Sequence, residues 1–205
     1  KLQAAAVAAG VLQNAEDLVD KDPQLKLRQH FVELDHAEMG KLILEHEGTL
    51  ERFTGDGMMV FFGDPEFIDD VTHAQNCARM ALDMLAELPV LRSRWREMGM
   101  FHALRVRMGV NTGYCTVGNF GSNNRMEYTI VGGQVNIASR LETLAEPDSI
   151  YISQATYALI QDAAECEYVD NISVKGVHYP VEVYRLTGMK GEQSQSTPLP
   201  QPVKS

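Results

Sequence analysis

Two β-rich runs, Leu50 to Phe53 and Met58 to Phe62, are joined by Gly55-Asp56-Gly57. An Asp-Gly pair between such runs turns the chain back on itself, because glycine tolerates the backbone that a tight turn between twisted strands demands. The chain is thereby committed to an antiparallel hairpin in its first third, and its neighbours must pack against that hairpin.

Upstream, Leu2, Val7, Val11, Leu12, Leu18 and Val19 recur at loose helical spacing, which predicts a helical segment over 1–19. Asp22-Pro23 reads as a helix start, and Leu27, Phe31, Leu34, Met39, Leu42 and Ile43 give an apolar face to a second helix up to about His46. Downstream, a long helix is expected from Asp70 to about Met98, with a possible interruption at Pro89. A strand over Leu104–Asn111 turns at Thr112-Gly113 into another over Tyr114–Asn119. A strand at Tyr128–Val131, a helix at Gln134–Leu144, a strand at Ile150–Ser153 and a short helix at Gln154–Gln161 follow. Two strands near Tyr168–Val174 and Val181–Leu186 close the series. This alternation predicts an α+β fold, a mostly antiparallel sheet with helices on one face. The chain divides into a helical connector (1–34), one compact domain (35–188) and a disordered tail (189–205) rich in Gly, Gln, Ser and Pro.

The formal charge of −10 excludes a broad basic face for nucleic acid, though a local pocket can still be positive. No apolar run reaches the roughly 20 residues that span a bilayer, so no direct membrane contact is expected of this segment. A larger parent chain could still be anchored. Cys77, Cys115 and Cys166 fit neither a disulfide framework nor a zinc pattern, which favours a cytoplasmic setting.

Three stretches carry a resemblance beyond pattern. Glu47-Gly48-Thr49-Leu50-Glu51-Arg52-Phe53-Thr54-Gly55-Asp56 resembles the second metal-site hairpin of class III nucleotide cyclases. Asn111-Thr112-Gly113 with Val117-Gly118-Asn119-Phe120-Gly121 is similar to the central hairpin of that family. Gly132-Gly133-Gln134-Val135-Asn136-Ile137-Ala138-Ser139-Arg140-Leu141-Glu142 resembles its strand-to-helix substrate motif, and Val174-Lys175-Gly176 its C-terminal element. The resemblance implies a ferredoxin-like βαββαβ core and a cyclase catalytic domain over 35–188. It also implies two copies paired head to tail as a homodimer, with each active site at the interface. One copy supplies metal carboxylates; the other contacts base, ribose and phosphates.

The residue roles follow from the same resemblance. Asp56 would hold Mg²⁺ or Mn²⁺, two ions per site in the family; by itself an Asp in such a turn is most often only a turn residue. Asn136 and Arg140, four apart on one helix face, would contact the ribose and the charge developing on the α-phosphate. Lys175 would reach the terminal phosphates. Adenylyl cyclases of the family commonly place Lys where Arg52 stands and Asp or Thr where Thr129 stands; guanylyl cyclases usually place Glu and Cys. A cation suits adenine N1, an acceptor, so Arg52 and Thr129 favour ATP, although Arg is forked and bulkier than Lys. The implied activity is conversion of ATP to 3′,5′-cyclic AMP in signal transduction, downstream of a sensor domain. Guanylyl cyclase activity is a weaker alternative.

One family feature is missing: an opening strand with a first metal aspartate. Asp17, Asp20, Asp22 and Asp35 lack its surrounding pattern. Two explanations stay open. Either residues are absent from the written sequence before about Asp35, which is favoured because deleting such a strand strands backbone donors, or the chain is a cyclase-like module that binds nucleotide or dimerises with little turnover.

Overall fold

The computed structural model describes residues 3–13, 38–54, 57–99, 105–122, 125–174, 177 and 179–191. Its first element corrects the sequence reading. Residues Gln3–Gln13 form a strand, β1, where a helix was expected. Ala-rich sequence favours helix locally, but β1 lies between two other strands. Its backbone pairs antiparallel with β3 (Gly57–Phe61) on one side and with β4 (Arg105–Ser122) on the other. Two ladders of non-local hydrogen bonds override a weak local propensity. Residues 14–37, which include most of the expected second helix, lie outside the described residues; helix α1 is described over 38–45.

The remaining elements are β2 (Thr49–Thr54), α2 (Asp70–Glu97), β5 (Arg125–Val131), α3 (Gly133–Leu144), β6 (Ser149–Ser153), α4 (Gln154–Ile160), β7 (Ala164–Ile172) and β8 (Val181–Met189). The sheet order is β2-β3-β1-β4-β6-β8-β7, with β5 paired to the outer half of β4. Read from β4, the first four strands run β4-β1-β3-β2, all antiparallel, with α1 between β1 and β2 and α2 between β3 and β4. That is the ferredoxin-like βαββαβ unit. The β4–β6 pair is parallel. Thr112-Gly113 is not a turn: β4 runs straight through it for 18 residues. Its first half pairs with β1 and β6, and β5 takes over at Thr116↔Val131. Pro89 lies inside α2 without ending it, and β8 runs past the expected tail boundary to Met189.

Helices cover both faces of the sheet, not one. Val106, Met108 and Val110 of β4 and Ile150 and Ile152 of β6 join one core with Cys77, Met80, Met84, Leu88 and Trp95 of α2. The alternate positions point the other way: Tyr151 clusters with Ile137 and Leu141 of α3. All five residues of β6 are buried, as expected of a strand covered on both sides. Gly109 lets α3 approach. A Cβ there would meet the Ala138 carbonyl oxygen at 2.1 Å and the Glu142 nitrogen at 2.3 Å.

Candidate active site

Strand β2 does not run evenly. Leu50 pairs with Val60 but Arg52 with Met59, so one extra residue is inserted at Glu51. Such a bulge breaks the up-down alternation and lets adjacent side chains meet. Arg52 Nε donates to Glu51 Oε2 at 2.6 Å. Thr129, in the middle of β5, donates its hydroxyl to Glu51 Oε1 at 2.5 Å and accepts from an Arg52 terminal nitrogen at 3.3 Å. Arg52 and Thr129, 77 residues apart, are thus brought together as the sequence reading paired them. Glu51, which that reading passed over, joins them: its side chain is only 2% exposed, while that of Arg52 is 50% exposed. Beside this group, Tyr128 donates to the Asp64 carboxylate, which pushes the phenol's pKa up and ties β5 to the loop after β3.

The second group sits on α3. Asn136, Ser139, Arg140 and Thr143 recur at helical spacing and line one open cleft, whose far wall is Ser173 and Val174. Asn136 and Arg140 are both exposed. The start of α3 is pinned from below. Asn111, 1% exposed, donates to the Gln134 backbone and side-chain oxygens at 3.1 and 2.8 Å. Asn111 in turn accepts from Ser153 at 2.6 Å. The Asn-Thr-Gly run of β4 is therefore a support for the helix that carries Asn136 and Arg140.

Asp56 and Lys175 lie outside the described residues. Their flanks are placed. Gly57, next to Asp56, pairs with Val11 of β1, and Val174, which lines the cleft, directly precedes Lys175. No cluster of three or more metal-binding side chains occurs among the described residues. The strand beside the hairpin, Gln3–Gln13, contains no Asp or Glu.

The family model of the adenylate and guanylate cyclase catalytic domain matches residues 13–188. The chain belongs to this family. Among solved structures, the adenylyl cyclase CyaB from P. aeruginosa is 38% identical with a TM-score of 0.87, covering 91% of this chain and 95% of that one. The guanylyl cyclase Cya2 is 26% identical with a TM-score of 0.85, covering 95% and 96%. Adenylate cyclase 1 of Rhizobium meliloti is 30% identical over 151 residues, 73% of this chain but 22% of that protein's length. Cyclases of both base specificities thus share the fold, and the cyclase domain here corresponds to a fraction of its longer relative. No described helix is long and apolar enough to cross a membrane. The three cysteines are free, with Cys77 and Cys115 buried.

Proposed function

We propose that this class III cyclase domain converts ATP to 3′,5′-cyclic AMP and pyrophosphate, at sites shared by two copies paired head to tail. The observation that carries the choice of ATP is the contact between Arg52 and Thr129. A guanidinium and a hydroxyl held side by side offer a donor to adenine N1 and an acceptor to its 6-amino group. The resemblance to CyaB at 38% identity points the same way.

In this reading Asn136 orients the ribose, and Arg140 stabilises the charge that develops on the α-phosphate as the 3′-oxygen attacks. Lys175 holds the departing pyrophosphate. The fixed guanidinium of Arg140 at the α-phosphate is worth about 10³-fold or more in rate, as in other phosphoryl transfers. Asp56 of one copy would hold Mg²⁺ or Mn²⁺ against the other copy's nucleotide, where the ion lowers the pKa of the hydroxyl and screens the triphosphate. Exposed Phe120, Met126, Tyr128 and Val131 along β4 and β5 supply apolar surface suited to the pairing. The domain would act on cytosolic ATP, as the output of a longer signalling chain with its own sensor.

A specific observation favours a second reading, a nucleotide-binding module with little turnover: β1 carries no carboxylate to share the cation with Asp56. Incubation with ATP or GTP and Mg²⁺ or Mn²⁺, with cyclic product quantified, decides. Cyclic AMP formed from ATP faster than cyclic GMP from GTP supports the first reading. Tight ATP binding without product supports the second, and preferential cyclic GMP formation overturns the choice of base.

A further inference from the structure

We propose that Glu51 is a specificity-positioning residue, which sets the choice of adenine over guanine by fixing the direction of the Thr129 hydroxyl. The inference rests on the ATP reading above and deepens it.

A threonine hydroxyl is ambivalent. It carries one hydrogen and two lone pairs, and it can serve either a donor or an acceptor on a base. The 6-position is where the two purines differ in sign, since adenine presents an amino donor and guanine a carbonyl acceptor. A free Thr129 would accommodate both. Here its only hydrogen is directed to Glu51 Oε1 at 2.5 Å, and one lone pair receives the Arg52 guanidinium at 3.3 Å. What remains is a single lone pair, able to accept from the amino group of adenine and unable to donate to the carbonyl of guanine.

Glu51 can hold this arrangement because it is itself held. Its side chain is almost wholly buried, and its second oxygen receives Arg52 Nε at 2.6 Å. The bulge in β2 turns Glu51 and Arg52 to the same side, so one carboxylate serves both neighbours. Two of the five guanidinium N–H groups are committed in this way, and the rest are available to a ligand. Glu51 does not touch the base; it sets the preference through the Thr129 hydroxyl.

Glu51→Gln is the direct test. The amide can donate to Thr129 Oγ, which frees the hydroxyl hydrogen for guanine. Equilibrium dialysis of the dimeric protein with ATP and with GTP reads the preference without requiring turnover, and kcat/KM for each nucleotide reads it again where turnover occurs. The expected result is a fall of about tenfold in the ATP-to-GTP ratio, the scale of one misdirected polar contact. In a Thr129→Val background the same substitution should move the ratio no further, because the hydroxyl it acts through is gone. Should Glu51→Gln fail to fold, Glu51→Ser removes the carboxylate while admitting water, with the same expectation. An unchanged ratio in a folded Glu51 variant, or an equal shift in the Thr129→Val background, overturns the proposal. So does a wild-type protein with no preference for ATP. A wild-type protein that prefers ATP but yields no cyclic product removes the cyclase reading alone, and the ratio still tests Glu51.

Discussion

The two halves of the proposed nucleotide site are built in opposite ways. At the β2–β5 end, Glu51, Arg52 and Thr129 are bound to one another before any ligand arrives. On α3, Asn136 and Arg140 stand exposed on an open cleft, and only the backbone beneath them is fixed, by Asn111 and Ser153. A base is recognised by the direction of a few hydrogen bonds, which must be set in advance. A triphosphate brings its own charge, and a guanidinium on a rigid helix needs only to be within reach. On the proposed function, selectivity would be preorganised within one chain, while catalytic power would wait for the substrate and for the second copy.

The largest effects should fall on the open half. Arg140→Ala should lower kcat by about 10³-fold or more with a smaller change in KM, since its contact strengthens as charge develops. Asp56→Ala should also be inactive, and mixing the two inactive proteins should restore turnover, because each heterodimer rebuilds one site from intact halves. Verified heterodimers without activity would rule out a site shared between copies.

Next comes the seat of α3. Gly109→Ala drives a Cβ into the Ala138 carbonyl, and overpacking of this kind costs about 1–3 kcal/mol, or several degrees in Tm. If the two halves are independent, turnover should fall along with stability while the ATP-to-GTP ratio stays constant. A changed ratio would mean that α3 also positions the base cluster.

Thr129→Val addresses the preorganised half. It should reduce kcat/KM for ATP about tenfold and that for GTP less. Equal losses on both nucleotides would mean that the hydroxyl does not discriminate. Ionic strength should separate the halves most gently. Raising salt from about 0.05 M to about 0.5 M screens exposed charges, so KM for ATP should rise a few-fold as the phosphate contacts weaken. The base preference, set by bonds to a buried carboxylate, should not move.

Local signals made much of this legible in advance. The Asp-Gly hairpin, the helix behind Asp70 and the Gly-Gly entry into α3 each rest on a few neighbouring residues, and each appears where its residues placed it. The helix-face pairing of Asn136 with Arg140 needed only a spacing of four. What local patterns missed were features set by distant partners. Ala4 to Ala9 resembles helix in isolation and becomes a strand because β3 and β4 each offer it a ladder. Thr112-Gly113 resembles a turn until β5 continues the pairing that β1 leaves off.

Glu51 marks the boundary between the two kinds of information. Its place beside Arg52 is written in the chain, and on an evenly pleated strand those neighbours would point to opposite faces. Only the bulge brings them to one side, and only the docking of β5, more than seventy residues away, supplies the hydroxyl that Glu51 orients. The sequence by itself determined the family, the hairpin and the identity of the groups proposed to meet a nucleotide. Tertiary structure decided which way their hydrogen bonds run, because direction depends on partners that covalent order does not bring together.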